Sequence, residues 1–179
     1  MGRYKLLFVD ESAFYLLPGV VRTWSPVGQT PVLRHKLTRE HLSVISAVSP
    51  EGELFLQVRE DAFDSDGIIG FLDTLQKQIE GNLVIVWDGA PIHRSRKIKE
   101  YLANGAAKRI HLERLPGYAP ELNPDERLNA DLKVAIGSRA PARTKAKLKL
   151  VTNDHRTYLT NTPDRVKSFF GDKRVKYAA

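Results

Sequence analysis

Cysteine is absent from the 179 residues. That excludes disulfides, zinc–thiolate sites, iron–sulfur clusters and cysteine nucleophiles, so any metal must be held by oxygen or imidazole. The lack of cysteine is also consistent with a reducing compartment. Long apolar runs are missing too. Lys5–Val9 and Leu83–Trp87 are far short of a membrane span, and the first residues lack the basic, apolar and small-residue order of a signal peptide. These absences predict a soluble cytosolic protein with no membrane association. Positive charge is scarce in the first half: residues 1–90 carry 8 Lys and Arg against 12 Asp and Glu, or −4, while residues 91–179 carry 20 against 9, or +11. An acidic half joined to a basic half suits a protein that holds cations in one place and a polyanion in another, although an ordinary lopsided surface gives the same totals.

What is present is a chain of one-domain size, long enough to bury roughly 70% of its unfolded surface. Lys5–Asp10 (KLLFVD) reads as a buried strand ending in an acid, followed by an irregular insertion over Glu11–Glu40, which holds Pro18, Gly19, Pro26, Gly28 and Pro31. His41–Ser49 and Glu53–Glu60 flank Pro50-Glu51-Gly52 and predict an antiparallel hairpin. Ile68, Ile69, Leu72, Leu75 and Ile79 then recur at helical spacing behind Asp64-Ser65-Asp66 and stop at Gly81. Asp61, Asp64 and Asp66 lack the spacing of a calcium loop and read as caps. Leu83–Trp87 predicts a strand buried on both faces, His93–Leu102 a helix, Arg109–Arg114 a strand, and Asn123-Pro124 the capped start of another helix. The order βββαβαβα describes an α/β fold: a mixed five-stranded sheet, with three antiparallel strands followed by βα crossovers and helices on its faces. The core is expected over residues 1–138, with a basic helical extension over 139–179 packed on or beside it.

Asp10 and Asp88 each end a wholly apolar run. Acids at the ends of neighbouring buried strands converge on the crevice where α/β sheets bind ligands, and they repel one another unless a cation lies between them. Mg²⁺ suits such a site because it takes one or two carboxylates, keeps water and completes its shell with phosphate oxygens. Each aspartate could instead simply cap the loop that follows. Glu121, Asp125, Glu126 and Asp131 are candidates for a third acid after the fifth strand.

The segment LPGYAPELNPDERLNADLK (Leu115–Lys133), taken with FVDES (Phe8–Ser12) and VIVWDGAPIH (Val84–His93), resembles the DDE transposases of the mariner superfamily, in their bacterial insertion-sequence branch. The terminal SFFGDKRVKYAA (Ser168–Ala179) is similar to the tail of such proteins. The resemblance implies a ribonuclease-H-like catalytic core in which Asp10, Asp88 and Glu126 hold two divalent cations, Mg²⁺ or Mn²⁺, for DNA cleavage and strand transfer. The 38 positions from Asp88 to Glu126 fit the short second spacing of that branch. The chain departs from the family pattern at Gly89, where Asn is usual, and at Asn129, where Trp is usual.

DNA is the implied partner and the bacterial cytoplasm or nucleoid the implied location. His93, Arg94, Arg96, Lys145 and Lys147 are candidate phosphate contacts, and Trp24, with Arg22 nearby, a candidate stacking residue. For His93, Trp24 and Tyr118 packing is the competing reading, and His111 reads as structural. The first strand begins about five residues from Met1, so the family's helix-turn-helix reader is expected to be supplied separately, by association or frameshifting, or the core to pair as a homodimer on DNA. A structure-directed nuclease of the same fold, or an inactive or domesticated module that binds DNA or a transposase, remains as an alternative. At the third acid, Asn123 and Pro124 put Asp125 and Glu126 about 100° apart around the helix. Glu126 is expected to be the ligand, with Asp125 near solvent and Leu122, Leu128 and Leu132 on the buried side. The rival is a capping box in which Glu126 turns back to the Asn123 N–H.

Overall fold

Tyr4–Tyr15 forms β1, the central strand of a five-stranded sheet ordered β3-β2-β1-β4-β5, with β2 at His41–Val48, β3 at Leu54–Arg59, β4 at Asn82–Trp87 and β5 at Ile110–Arg114. The structure, a computed structural model, describes residues 4–16, 24–32, 39–117, 119–137, 142 and 144–178. β1, β2 and β3 pair antiparallel, while β4 and β5 run parallel to β1, as the element order predicts. Gly52 closes the hairpin turn at φ +90°, and a Cβ there would lie 2.6 Å from the Pro163 carbonyl oxygen. Both the backbone conformation and the close approach require glycine.

The first strand is longer than its apolar run. Pairing with β4 ends at Phe8↔Val86, but the ladder with β2 continues to Tyr15↔His41. Residues 11–15, expected to be irregular, are therefore strand, and Asp10 lies within β1 rather than at its end. A polar run that alternates against a partner strand keeps its backbone hydrogen bonds without needing continuous apolar side chains.

Strand alternation divides the core in two. Phe8, Phe14, Leu42, Val44 and Val48 face α3 (Asp125–Gly137), α4 (Lys145–Thr160) and α5 (Pro163–Ser168), where Leu128, Leu148, Leu159, Val166 and Phe170 cover them. Leu7, Val9, Ile45, Leu83, Ile85 and Trp87 face α1 (Ser65–Gln78) and α2 (Arg96–Ala103). Each fully buried large aliphatic or aromatic side chain contributes roughly 2–3 kcal/mol. The helices after residue 144 thus share one core with the sheet.

Asp64 caps α1 through the Gly67 N–H at 2.9 Å, as its position predicts. At the other end of α1 the Arg109 guanidinium donates to the carbonyls of Gln76, Ile79 and Gly81. The helix expected over His93–Leu102 is two pieces: a 3-10 turn over Pro91–Arg94, then α2, with extended Ser95 (ψ 157°) between them. Ser95 Oγ accepts from the Ile98 N–H, so this residue stops the turn and starts the helix. Among the described residues no helix is long and apolar enough to cross a membrane.

Candidate active site

The Phe8↔Val86 register, carried two residues further, brings Asp10 level with Asp88, the residue that follows β4. The two acids thus stand on adjacent strands, with β1 between the hairpin and β4. Asp10 alternates with Phe8 toward α3, and its partner across the β1–β2 ladder is Ser46. Burial, then the charges of Glu126 and Glu11, push the Asp10 carboxyl up to about 7; the Glu11 backbone N–H pulls the other way, and the charge of Asp88 adds a smaller push upward. Asn129 Nδ2 donates to Asp10 Oδ2 at 2.8 Å.

α3 starts as its sequence predicts. Asn123 Oδ1 accepts from the Asp125 N–H at 3.1 Å, and Asn123 Nδ2 donates to the Val9 carbonyl at 3.3 Å, tying the helix start to β1. The capping-box alternative for Glu126 is not formed, because the Asn123 N–H already donates to the Pro120 carbonyl at 2.9 Å. Glu126 is exposed on the first turn, and its charge reaches Asp10.

Asp125, expected near solvent, is fully buried. The helical repeat explains why: Asp125, Leu128, Asn129 and Leu132 form the stripe that faces the sheet, while Leu122, outside the helix, is only half-buried. Asp125 Oδ1 accepts from Ser46 Oγ at 2.7 Å, and Oδ2 has no partner among the described residues. Burial, then the charge of Asp10, drives this carboxyl well above the usual carboxylate range. Such an acid weakens folding as pH rises above its unfolded value. Asp125→Asn is therefore expected to raise the melting temperature at pH 8 and to change it little at pH 4. Equal shifts at both pH values would show that charge burial is not the cause.

Asp88 is 55% exposed, and its Oδ1 accepts from the Ala90 N–H at 2.9 Å. The same oxygen is 2.9 Å from His93 Nδ1, while His93 Nε2 meets Glu11 Oε1 at 3.0 Å. Carboxylates only accept hydrogen bonds, so both ring nitrogens are satisfied together in the imidazolium form. Burial lowers the His93 pKa, but the hydrogen bond and charge of Glu11, aided by Asp88, outweigh it and raise it. The ring also stacks on Trp87 at 4.2 Å. With only 1% of its side chain exposed, His93 is packed between two acids and not presented to a phosphate, contrary to its expected place among the DNA contacts.

Arg94 and Arg96 are exposed shortly after Asp88, with Arg96 paired to Glu100 at 2.9 Å. Lys145 and Lys147 lie on the first turn of α4, the former half-buried and the latter exposed. Trp24 is 100% exposed, which rules out its core-packing alternative. His111 is exposed on the edge strand, paired to Glu113. Arg22 and Tyr118 lie outside the described residues, as do residues 138–141 and 143 of the basic run. Asp88 and Glu126 both act on Asp10 through their charge; no described contact joins Lys145, Lys147 or Trp24 to these acids.

Glu11, Asn129, Asp125 and Ser46 also stand around Asp10; Asp125 is among the sequence's candidates for the third acid, and the other three are not predicted from sequence as site residues. For Asp125 and Asn129 the signal was there: they are four residues apart on the same helical stripe as Leu128 and Leu132. Ser46 reaches Asp10 only through strand pairing, and Glu11 meets His93 only in the folded chain.

Among the described residues no three acidic or imidazole side chains are drawn together tightly enough to enclose an ion. The donor chemistry nonetheless fits a hard divalent cation. The charged groups named as acting on Asp10, Glu126, Glu11 and Asp88, are carboxylates, and the buried Asp125 Oδ2 has no partner among the described residues. Glu126 and Asp88 are exposed enough to turn toward a cation that retains several waters.

A family profile described as DDE superfamily endonuclease matches residues 5–149. Among curated proteins no sequence matches significantly. Among solved structures, the Mos1 mariner paired-end complex with Mn is similar at TM-score 0.68 and 15% identity, over 98% of this chain and 57% of that one. The catalytic domain of Mos1 mariner transposase gives 0.62 at 11% identity, over 97% of this chain and 82% of that one. A simian T-cell lymphotropic virus intasome gives 0.56 at 14% identity, over 83% and 46%. At these identities the likeness is one of fold, the ribonuclease-H-like fold of the transposase catalytic domain, and the chain spans about half the length of the first paired-end and strand-transfer chains it matches. The profile covers the strand bearing Asp10, the end of β4 at Asp88 and the whole of α3, and the chain belongs to the DDE superfamily endonucleases.

Proposed function

We propose that this chain is the catalytic core of a transposase that cleaves DNA and joins its 3′ ends to target DNA, with Asp10, Asp88 and Glu126 as the ligands of two divalent cations, Mg²⁺ or Mn²⁺. The observation that carries this reading is the in-register placement of Asp10 and Asp88 on adjacent strands, with Glu126 on the facing helix near enough to raise the Asp10 pKa. Bound cations supply acidification of the attacking water or 3′-hydroxyl and neutralise charge at the leaving oxygen. The residues do the rest. Asp10 is anchored by Asn129, Asp88 is held by the Ala90 N–H and His93, and Glu126, exposed at the start of α3, would turn inward to a bound cation. The Mos1 structures bearing Mn and Mg belong to a protein of the same fold, which favours these metals here.

DNA is the substrate in this reading, gripped by Arg94, Arg96, Lys145 and Lys147, with exposed Trp24 available to stack. End recognition comes from a helix-turn-helix region or from pairing of cores on DNA, within a bacterial insertion sequence. The test is an assay of supercoiled plasmid nicking and of 3′-end joining in Mn²⁺ and in chelator. Metal-dependent nicking with joining supports the transposase; nicking without joining indicates a structure-directed nuclease; DNA binding with no nicking indicates a binding module; full activity in chelator removes the two-metal reading.

Affinity for DNA is expected to be insensitive to sequence and steeply dependent on salt, with log K falling by about 0.9 per neutralised phosphate. Arg94→Ala with Lys147→Ala should reduce the slope by about two. A tight footprint on one defined sequence, or a slope unchanged in the double variant, would contradict this interface.

A further inference from the structure

We infer that Asn129 is a positioning residue for Asp10: its amide holds Asp10 Oδ2 and so leaves Oδ1 as the oxygen presented to a cation. The inference rests on the proposed function and adds to it a residue that none of the three acidic positions supplies. Asn129 is 2% exposed, and its Nδ2 lies 2.8 Å from Asp10 Oδ2. The ionised carboxylate that a cation would meet only accepts, and toward it the amide turns its NH₂ and points its oxygen away. That oxygen is buried and has no partner among the described residues. An arginine or lysine in this place would also orient Asp10, but it would cancel the negative charge that attracts a cation. A neutral amide fixes the carboxylate and keeps its charge.

The position of this amide is itself fixed. One turn earlier on the same face, Asp125 takes the Ser46 hydroxyl at 2.7 Å, and Asn123 grips the Val9 carbonyl at 3.3 Å. Ser46 is the ladder partner of Asp10, and Val9 precedes it. α3 is therefore pinned at three points around Asp10, and the same helix carries Glu126. Docking the helix through Asn129 sets the first acid's orientation and the third acid's distance together. An amide kept here for packing alone would be a poor choice, since an apolar side chain of similar size would fill the space without burying an unpaired amide oxygen.

The test is Mn²⁺ binding to the full chain, measured by calorimetric titration and by the loss of the free-ion paramagnetic resonance signal, with thermal melting of each metal-free variant. Asn129→Leu keeps the volume and removes the donor; Asn129→Ala is the second variant, should the leucine not fit. Both are expected to weaken Mn²⁺ binding by about 10- to 100-fold, the usual cost of losing a partner behind a metal ligand. Asn129→Leu should melt no lower than the unaltered chain. Asp10→Asn, measured alongside, separates the two readings. If Asp10→Asn loses Mn²⁺ binding while both Asn129 variants bind within twofold of the unaltered chain, Asn129 is merely structural and only this inference is overturned. If Asp10→Asn binds Mn²⁺ as before, the metal site and the inference fall together.

Discussion

Asp10→Asn is expected to lower metal-dependent plasmid nicking by roughly a thousandfold or more while leaving the fold intact. The loss follows from the place of Asp10: it is the acid on which the charges of Glu126, Glu11 and Asp88 all act. Removing its charge removes the centre of the cation site, and several kcal/mol of transition-state stabilisation converts to about a thousandfold in rate. The fold should survive because the amide retains an oxygen to accept from Asn129 Nδ2 and relieves the repulsion among the acids. Asp88→Asn should show a similar loss, without a gain in stability, because it removes one of the two carboxylates paired with the buried His93 ring. Nicking by Asp10→Asn within tenfold of the unaltered chain, in a protein that melts normally, would remove Asp10 from the mechanism.

The second large effect is on stability against pH. Asp10 rises from 3.8 to about 7 on folding, so between these values the folded chain holds a proton that the unfolded chain has released. Stability therefore falls as pH climbs across that window, with a ceiling of about 4 kcal/mol at about 1.4 kcal/mol per pH unit. Asp125, also raised, acts in the same direction. His93 does too: an imidazole whose pKa is raised on folding stabilises fully below its unfolded value, near 6.5, and that contribution is lost as pH passes the folded value. On the acid side the order reverses. Asp131 and Asp172 are lowered by their basic partners, and their contributions are present above about 3.8 and lost below it. The metal-free chain should thus melt highest near pH 4–5 and progressively lower toward pH 8. Mn²⁺ should recover much of the loss at pH 8, by about 2.7 kcal/mol at a hundred times its dissociation constant, and little at pH 5. A melting temperature that rises steadily from pH 5 to pH 8 without metal would contradict this charge distribution.

Strand order was legible in the sequence because apolar runs such as Leu83–Trp87, the turn at Pro50-Glu51-Gly52 and the right-handed crossover rule leave few alternatives. The boundaries that failed have local causes. Glu11–Tyr15 carries a mixed polar pattern that reads as loop until β2 pairs with it, and Ser95 both ends a turn and caps a helix, which merged two elements into one. Within the site, Asp10 and Asp88 could be found because each follows an apolar run. Asp125 reads as solvated because a charged residue on a first helical turn usually is, yet it lies on the buried stripe that continues through Leu128 and Leu132. For His93 the nearness to Asp88 in sequence suggests phosphate, and the competing packing reading is the one the buried ring bears out. Glu11, a neighbour only in space, decides its fate.

Most direct for the central claim is the anomalous scattering of manganese from crystals of the full chain soaked in Mn²⁺. Density is expected between the carboxylates of Asp10 and Asp88, with Glu126 turned in from α3, Asp10 bound through Oδ1, and Asn129 still on Oδ2. Manganese absent from this crevice at saturating concentration, or held by Asp125 while Glu126 stays in solvent, would contradict it.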